Sequence, residues 1–274
     1  MSFESAVVGH YTRPDLLTAI ETALAKIAKT PETVTVEDLA PIDEFHIGGR
    51  PATRHLLDKL DFSPTDHILD VGCGIGGPSR LAIDGVAGIT GIDLTPEYVD
   101  TGNELNRWLK LDQSIELVVG NALALGFDDE TFDGGYMLHV GMNIEDKAGL
   151  LAELGRVLRP GALFGIYDIM RMGHGELAFP VPWASDPSTS HVAEPTAYRQ
   201  AATDAGLVVA AEENRGEQAR RFFEQAAAQA TPPPLGLGIL MGETFGVKVQ
   251  NMVANVAGGL IAPVELVVAK PAAA

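Results

Sequence analysis

The segment from His67 to Pro78, with the sequence HILDVGCGIGGP, constrains the fold of this chain more than any other part of it. A short apolar run ends there in closely spaced glycines, and a helical stretch follows from Ser79. A second apolar run then ends at Asp93, twenty-one residues after Gly72. This order predicts a strand, a tight turn, a helix and a second parallel strand, which is typical of a nucleotide-binding α/β unit.

Three glycines of this segment, Gly72, Gly74 and Gly76, keep the turn free of side chains. A backbone that passes sharply from strand to helix and lets a ligand approach its amides has no space there for side chains. Asp93 is expected at the end of the neighbouring strand, where its carboxylate can accept hydrogen bonds from ribose hydroxyls. Because Gly72, Gly74 and Gly77 also fit the G-x-G-x-x-G spacing of dinucleotide-binding proteins, the glycines alone leave the nucleotide open.

Further motifs narrow the choice of nucleotide. They are LDVGCGIGG at residues 69–77, VVGNAL at 118–123, FDGGYMLH at 132–139 and RVLRPGA at 156–162. Together with Asp93, and in this order, they resemble the motifs of class I S-adenosylmethionine (SAM)-dependent methyltransferases over roughly residues 45–213. The resemblance is to small-molecule enzymes of the sarcosine/dimethylglycine, phosphoethanolamine and ubiquinone/tocopherol-biosynthesis type.

This resemblance implies SAM as the cofactor and S-adenosylhomocysteine (SAH) as its product. The implied cofactor contacts are the three glycines, Asp93 with the adjacent Leu94, and the pair Asn121-Ala122 at the adenine. Asn121 stands where the family usually has aspartate. Its amide oxygen could still accept a hydrogen bond from the adenine amino group.

Alternating apolar and helical runs predict an α/β fold, namely a Rossmann-like, seven-stranded, mostly parallel sheet with helices on both faces and an α-helical cap or insertion. The predicted strands lie near residues 67–72, 88–93, 114–119, 133–138, 162–168 and 206–213, with a last strand at 264–269 inserted antiparallel at the sheet edge. The predicted helices lie near 14–29, 51–60, 78–85, 97–110, 145–158, 195–205, 217–230 and 247–256, and an irregular link is expected at 31–41. Four units are expected: an N-terminal helical lid and entry segment (1–60), the SAM-binding core (61–213), a helical insertion (214–260), and the final strand with its tail (261–274).

Composition favours a small-molecule acceptor. The 274 residues carry 37 acidic and 19 basic side chains, a net charge of −18 that disfavours nucleic acid or an anionic membrane as partner. The single cysteine, Cys73, fits a reducing compartment, and the lack of a leader or a long apolar run predicts a cytoplasmic protein without membrane insertion. No cysteine or histidine cluster has metal-ligand spacing, so no metal is expected. The oligomeric state is left open, and a homodimer is possible.

The segment before the first strand, residues 43–53, has the sequence DEFHIGGRPAT. Arg50 could meet the methionyl carboxylate of SAM through a bidentate contact. His46 lies in an F-H-x-G-G sequence that passes the amino-acid end of SAM in similar family members, although it could also be a core histidine. Tyr11, in the N-terminal region, is either a packing aromatic or a lid residue over the site.

His139 follows the fourth predicted strand, where methyltransferases place residues that face the transferred methyl group and contact the cofactor. An imidazole can accept a proton from the acceptor near neutral pH. In phosphoethanolamine methyltransferases an N-terminal tyrosine and a histidine after this strand act together, and Tyr11 and His139 are the matching catalytic candidates. The alternative is that His139 only shapes the pocket.

Two apolar segments are candidates for closing the acceptor site. The insertion contains a proline triplet followed by LGLGILM at 235–241, which includes Met241, and it is either a cap or a packing excursion. The second segment, FPVPW at 179–183, resembles stretches in sarcosine and dimethylglycine methyltransferases. Its Trp183 could form an aromatic wall for a methyl-bearing or cationic acceptor, or anchor a loop.

Asn143, Tyr167 and Asp168 lie at neighbouring predicted strand ends and could orient the acceptor. We expect a SAM-dependent methyltransferase that positions acceptor and donor in line, with N-methylation of a small amine favoured through the Trp183 segment. An O- or S-methyltransferase of a phenol, quinol or thiol is the alternative, since the apolar cap suits an uncharged acceptor. A SAM-binding sensor without turnover, and more distantly a nicotinamide-dependent dehydrogenase, are the other classes.

Overall fold

The computed structural model describes residues 3–228 and 233–272 and contains one seven-stranded sheet. Its strands are β1 (His67–Val71), β2 (Gly88–Asp93), β3 (Ile115–Val119), β4 (Phe132–Leu138), β5 (Leu158–Arg171), β6 (Val208–Asn214) and β7 (Ile261–Ala269). They run in the order β3-β2-β1-β4-β5-β7-β6, and all neighbouring pairs are parallel except the two that include β7. The predicted α/β class with a mostly parallel sheet is thereby confirmed.

The strand order reverses between β1 and β4, which creates the crevice where open α/β sheets bind ligands. Gly72 directly follows β1, Asp93 ends β2, and His139 directly follows β4. These three strands are neighbours in the sheet. Three residues predicted to form the site therefore lie at adjacent strand ends.

The last strand, β7, pairs antiparallel with β5 and β6, as predicted for its direction. The expectation that it forms the edge of the sheet is wrong, because β7 lies between β5 and β6, and β6 is the edge strand. Residues Ile261 to Val268 are all buried, which suits a strand with partners on both sides and sheet faces that are both covered.

Eleven α-helices occur among the described residues. They are α1 (Phe3–Tyr11), α2 (Leu16–Ala25), α3 (Val36–Asp43), α4 (Gly49–Leu57), α5 (Gly77–Ala82), α6 (Pro96–Trp108), α7 (Lys147–Val157), α8 (Pro195–Asp204), α9 (Gly216–Ala228), α10 (Gly238–Met241) and α11 (Phe245–Ala257). Apolar side chains of α7 and α8 pack on one face of the sheet, and those of α4, α5 and α6 pack on the other. No helix within 3–228 or 233–272 combines the length and apolar character needed to cross a membrane.

The entry segment before the sheet is more helical than the sequence indicated. The irregular link expected at 31–41 contains most of α3, and α1 was not predicted at all. Helix α3 begins with a capping box, in which the Thr35 hydroxyl accepts from the Asp38 backbone N–H at 3.3 Å and the Asp38 carboxylate accepts from the Thr35 N–H at 2.9 Å. Pro41 inside this helix had argued against it, but tertiary packing of Leu39 and Ile42 outweighs that local penalty.

The insertion between β6 and β7 consists of α9, α10 and α11, which correspond to the predicted helical runs at 217–230 and 247–256. Residues 229–232, which include the end of the first run and the first proline of the triplet, lie outside the described part of the chain. Leu235 and Leu240 of the insertion share an apolar cluster with α2 and α3. This cluster joins the entry segment to the insertion, whereas the division of the chain into four units stays a prediction.

Candidate functional site

The turn after β1 has the conformation that its glycines predict. Gly72, Gly74 and Gly76 have φ angles of 69°, 55° and 84°, in the left-handed region that side chains disfavour. A Cβ at Gly72 would overlap the side chain of Val140. Gly72 and Gly74 line a cavity at the strand ends, whereas Gly76 lies outside it and precedes the first residue of α5.

Asp93 is partly buried at the end of β2 and already holds two backbone donors. Its carboxylate accepts from the N–H of Gly74 at 3.0 Å and from that of Thr95 at 2.8 Å. Burial raises the pKa of Asp93, and these two N–H donors oppose that rise. Since a carboxylate offers about four lone-pair directions, it retains the capacity to accept from ribose hydroxyls.

The adenine end of the predicted site also lies in the cavity. Leu94, Asn121, Ala122 and Leu123 line it. The Asn121 side-chain oxygen accepts from the backbone N–H of Leu123 at 2.9 Å. The oxygen that was expected to meet the adenine amino group therefore already has one donor, and its second lone pair is the one available to a nucleotide.

The cavity has a volume of about 370 Å³ and runs from the glycine turn to the cap segments. This volume lies within the roughly 300–1,000 Å³ that is usual for small-molecule sites. Beyond the nucleotide end, the wall is mainly aromatic and aliphatic, with Val7, Tyr11, Phe45, Tyr98, Met142, Trp183, Leu240 and Met252. Among the described residues that line it there is no lysine or arginine.

His139 lines the cavity in an unusual conformation. Its φ angle is 55°, a left-handed value that is costly for a residue with a side chain. Its backbone N–H donates to the Tyr167 carbonyl at 2.7 Å, and its ring stacks on that of Tyr167 with the centroids 5.2 Å apart. Its Nε2 is buried and has no hydrogen-bond partner among the described residues. Burial, and then the neighbouring His46, hold the pKa of His139 well below 6.5, so the ring is neutral at physiological pH.

His46 also lines the cavity, but its ring nitrogens have partners. Nε2 lies 2.9 Å from a Glu44 carboxylate oxygen and 3.0 Å from the Thr53 hydroxyl, and Nδ1 lies 3.2 Å from the Ile47 carbonyl. The His46 ring meets that of His139 edge-on, with centroids 5.7 Å apart. His46 is thus a fixed part of the wall beside His139.

Tyr11 and Asn143 meet at the acceptor end of the cavity. The Tyr11 hydroxyl donates to the Asn143 side-chain oxygen at 2.8 Å, and the Asn143 amide donates to the carbonyls of Trp183 and Thr189 at 3.0 Å. Burial raises the pKa of Tyr11 well above 10, so its hydroxyl stays protonated. The structure brings Tyr11 into the same cavity as His139, but the partner of its hydroxyl is Asn143.

Trp183 lines the cavity, and both its side chain and the segment that carries it are held by hydrogen bonds. Only 1% of the residue is exposed, and its Nε1 donates to the Ser190 hydroxyl at 2.9 Å. The segment that carries it is joined to α1, because His10 Nε2 lies 2.8 Å from the Pro182 carbonyl. Both readings of Trp183, as a wall and as a loop anchor, agree with these contacts.

Besides Gly76, four predicted site residues lie outside the cavity wall. Arg50 places a guanidinium nitrogen 2.5 Å from the Val36 carbonyl and thereby joins α4 to α3. Tyr167 lies beneath His139 and donates from its hydroxyl to the Ile47 carbonyl at 3.1 Å. Asp168 is fully buried and accepts from the Tyr198 hydroxyl, and Met241 is buried beside Leu240, which does line the cavity.

Several wall residues were not found from the sequence. Glu4 and Val7 belong to α1, which has no clear amphipathic pattern, and Phe45 and Tyr98 read as ordinary packing aromatics. Tyr98 is notable because its hydroxyl is buried without a partner among the described residues. The signal that could have found it is its position in the first turn of α6, directly after the segment of Asp93.

A possible cation site lies away from the cavity. His55, Glu213 and Glu265 each offer a ligand atom, and these atoms lie within 4.8 Å of one another. Lys59 bonds to both glutamates, and Arg215 lies 2.8 Å from His55 Nε2, so protein cations already occupy the space between them. The three residues are far apart in sequence, which is why spacing did not indicate them.

Comparison with known proteins identifies the class. Residues 69–166 match the family model described as methyltransferase domain. The chain is 36% identical over 113 residues to 24-methylenesterol C-methyltransferase 2 of Arabidopsis thaliana, an alignment that covers 41% of this chain and 31% of that protein. It is 35% identical over 138 residues to 2-methyl-6-phytyl-1,4-hydroquinone methyltransferase of Synechocystis, an alignment that covers 45% of this chain and 42% of that protein. The chain thus spans less than half the length of these relatives.

Solved structures match along nearly the whole chain. Geranyl diphosphate C-methyltransferase from Streptomyces coelicolor has a TM-score of 0.71 at 18% identity, covering 98% of both chains. Phosphoethanolamine N-methyltransferase 2 of Haemonchus contortus has a TM-score of 0.72 at 18% identity, covering 99% of this chain and 60% of that one. The fold is that of the class I methyltransferases. Residues 69–166 thus match a methyltransferase domain, and the similarity is to SAM-dependent class I methyltransferases, as the motifs predicted.

Proposed function

We propose that this protein transfers the methyl group of SAM to carbon or phenolic oxygen of an uncharged, largely apolar small molecule, with His139 accepting a proton. The observation that carries the proposal is one cavity that contains the ribose acid Asp93, the unpartnered Nε2 of His139 and no lysine or arginine among its described wall residues.

The donor end fits SAM on three counts. Gly72 and Gly74 line the cavity without side chains that would keep a ligand away, Asp93 keeps lone pairs for ribose hydroxyls, and the family's motif order is preserved. SAM supplies an activated methyl group on a sulfonium. The protein has to hold acceptor and donor in line and exclude water, and the closed aromatic wall serves both purposes.

The described wall of the cavity has no lysine or arginine that could bind a phosphorylated acceptor. Geranyl diphosphate and phosphoethanolamine, after which the two structural neighbours are named, both carry phosphate. A buried phosphate needs cationic partners or several N–H donors. The Streptomyces coelicolor complex also contains Mg²⁺, so the lack of basic side chains in the described wall disfavours phosphate binding without a metal. The sterol and hydroquinone acceptors in the names of the sequence relatives are uncharged and suit the aliphatic and aromatic wall better.

His139 suits an acceptor that is acidic during the reaction. A neutral imidazole with a depressed pKa is a weak base, but it can accept a proton from a phenolic oxygen or a carbon centre that becomes strongly acidic as it gains the methyl group. It is too weak a base to deprotonate an ammonium ion before transfer. The weak basicity of His139 therefore disfavours the small amine that the Trp183 segment favoured.

N-methylation remains the second candidate, because one observation supports it. Tyr11, Phe45, Tyr98 and Trp183 present aromatic rings around the acceptor end, and aromatic faces attract methylated or protonated amines. An amine that enters without its proton would need no strong base.

The test is methyl-label transfer from SAM to matched acceptor pairs: an isoprenoid alcohol and its diphosphate, a prenylated hydroquinone and its phosphate ester, and a primary amine and its N-acetyl derivative. We expect label in the uncharged isoprenoid or hydroquinone and none in the phosphorylated partner. Label only in phosphorylated acceptors would contradict the assignment, and label in the amine alone would move N-methylation to first place. Tight SAH binding without transfer to any acceptor would favour the sensor class.

A further inference from the structure

Three buried polar side chains lie behind the acceptor wall and do not themselves line the cavity. Asp168 belongs to β5, Tyr198 to α8 and Lys147 begins α7. Asp168 and Tyr198 are completely buried, and 7% of Lys147 is exposed. Charged groups at such depth are costly unless they are paired and hydrogen-bonded, so their contacts need an explanation.

The three side chains form a continuous network. The Tyr198 hydroxyl donates to the Asp168 carboxylate. The Lys147 ammonium lies over the ring of Tyr198, 5.4 Å from its centroid, and donates to the carbonyls of Ile144 and His191, the second at 2.9 Å. The Asp168 carboxylate and the Lys147 ammonium are therefore linked through the hydroxyl and the ring face of Tyr198.

This network bonds to the backbone of the acceptor wall. The Asp168 carboxylate lies close enough to the backbone N–H of Met142 for this N–H to lower its pKa, and the Met142 carbonyl accepts from the His191 N–H at 2.7 Å. Lys147 adds a bond to the Ile144 carbonyl at the other end of the same turn. A Cβ on Gly141 would overlap both the Asp168 carboxylate and the Tyr198 hydroxyl, so the turn rests directly on this pair. The next residues, Met142 and Asn143, line the cavity.

We infer that Asp168, Tyr198 and Lys147 are positioning residues that fix the turn at 141–144 and thereby set the affinity for the acceptor without touching it. The affinity part of this inference rests on the proposed function, whereas the positioning part does not. The turn begins two residues after His139, and its Asn143 accepts from the Tyr11 hydroxyl. The donor end has no such contact with these three residues.

Tyr198→Phe tests the inference, because it removes one hydroxyl and keeps the buried ring. Tyr136→Phe is the matched variant: Tyr136 is an equally buried tyrosine whose hydroxyl donates at 3.2 Å to Asp70, which lies on the donor side of the cavity. Hydrogen–deuterium exchange of both variants, SAH titration and acceptor KM are measured. Lys147→Met is the second variant should Tyr198→Phe fail to fold.

We expect Tyr198→Phe to accelerate exchange at 140–144 and 189–192, to leave exchange at 72–77 unchanged, and to raise the acceptor KM roughly tenfold at an SAH Kd within about twofold of the wild type. Tyr136→Phe should show the opposite pattern. Equal changes at both ends, or unchanged exchange at 140–144, would overturn the inference. Faster exchange at 140–144 in a protein that methylates no acceptor would leave the positioning role intact and refute the proposed function.

Discussion

His139 combines three properties that rarely occur together: a left-handed backbone, a ring stacked on a tyrosine and a buried nitrogen without a partner. A strained conformation with an unsatisfied atom lowers stability, and it persists where a bound ligand benefits from it. The position of this histidine after β4 could be predicted from motif order. The depressed pKa could not, because it depends on burial and on His46, which is ninety-three residues earlier in the chain.

The first prediction concerns His139→Gln. We expect kcat to fall about a hundredfold or more, with a much smaller change in the SAH Kd, because the variant loses the proton acceptor whereas the other donor-site contacts remain. The wild-type rate should show no inflection near pH 6.5, since the pKa of His139 lies well below that value. Steady-state kinetics against pH provide the measurement. Tyr167→Phe, which keeps the stacked ring, is the control, and a His139→Gln variant with full kcat would rule out the proton-accepting role.

The second prediction concerns the carboxyl of Asp168. Burial raises its pKa from 3.8 to about 6 in the folded protein. The folded state then binds more protons than the unfolded state between these values, so this group lowers the free energy of unfolding as pH rises from about 4 to about 6, with a slope of at most ~1.4 kcal/mol per pH unit.

Asp168→Asn removes that titration. We expect the variant to gain stability relative to the wild type as pH increases through this window, and to keep a constant difference above it. Urea unfolding at pH 4, 5, 6 and 8 measures the effect. A stability difference that is the same at all four pH values would show that Asp168 does not titrate in this range.

At the scale of the element, the sheet could be predicted and the entry helices could not. Strands β1, β2 and β4 are apolar runs that lead to Gly72, Asp93 and His139. Their order along the chain was enough to predict the position of the site. Helix α3 carries Pro41, and α1 has no strong periodicity, so local signals pointed away from both. Their stability comes from contacts with α6 and the insertion, which sequence patterns do not show.

The third prediction tests the cap that begins α3. Thr35→Ala should lower the free energy of unfolding by about 1 kcal/mol, because the Asp38 N–H loses its acceptor. Thr35→Ser should retain most of the stability. Urea unfolding of the three proteins is the measurement. An alanine variant as stable as the wild type would mean that the capping box contributes nothing to the fold.

At the scale of the whole molecule, the acidic side chains outnumber the basic ones and leave a net charge of −18. Self-repulsion among solvated carboxylates destabilises the compact state, and salt screens it over about 10 Å at 0.1 M. The fourth prediction is therefore that the melting temperature of the ligand-free protein rises by a few degrees between low salt and about 0.5 M sodium chloride. The same titration near the isoelectric point is the control and should show a smaller rise. A melting temperature that falls with salt would mean that solvent-accessible ion pairs such as that of Arg199 with Glu212 outweigh the repulsion.

The direction of the strands also determines which end of the chain is better suited to carry a label. Helix α1 brings Glu4 and Val7 to the cavity. Strand β7 runs antiparallel and ends at Ala269, which is paired with Leu163 and Val208, the first residues of β5 and β6 that pair with β7. Ala269 therefore lies toward the amino ends of the parallel strands, whereas α1 contributes to the cavity at their carboxyl ends. A fluorophore, affinity handle or surface anchor joined after residue 272 is expected to lie farther from the cavity than the same group joined before Phe3.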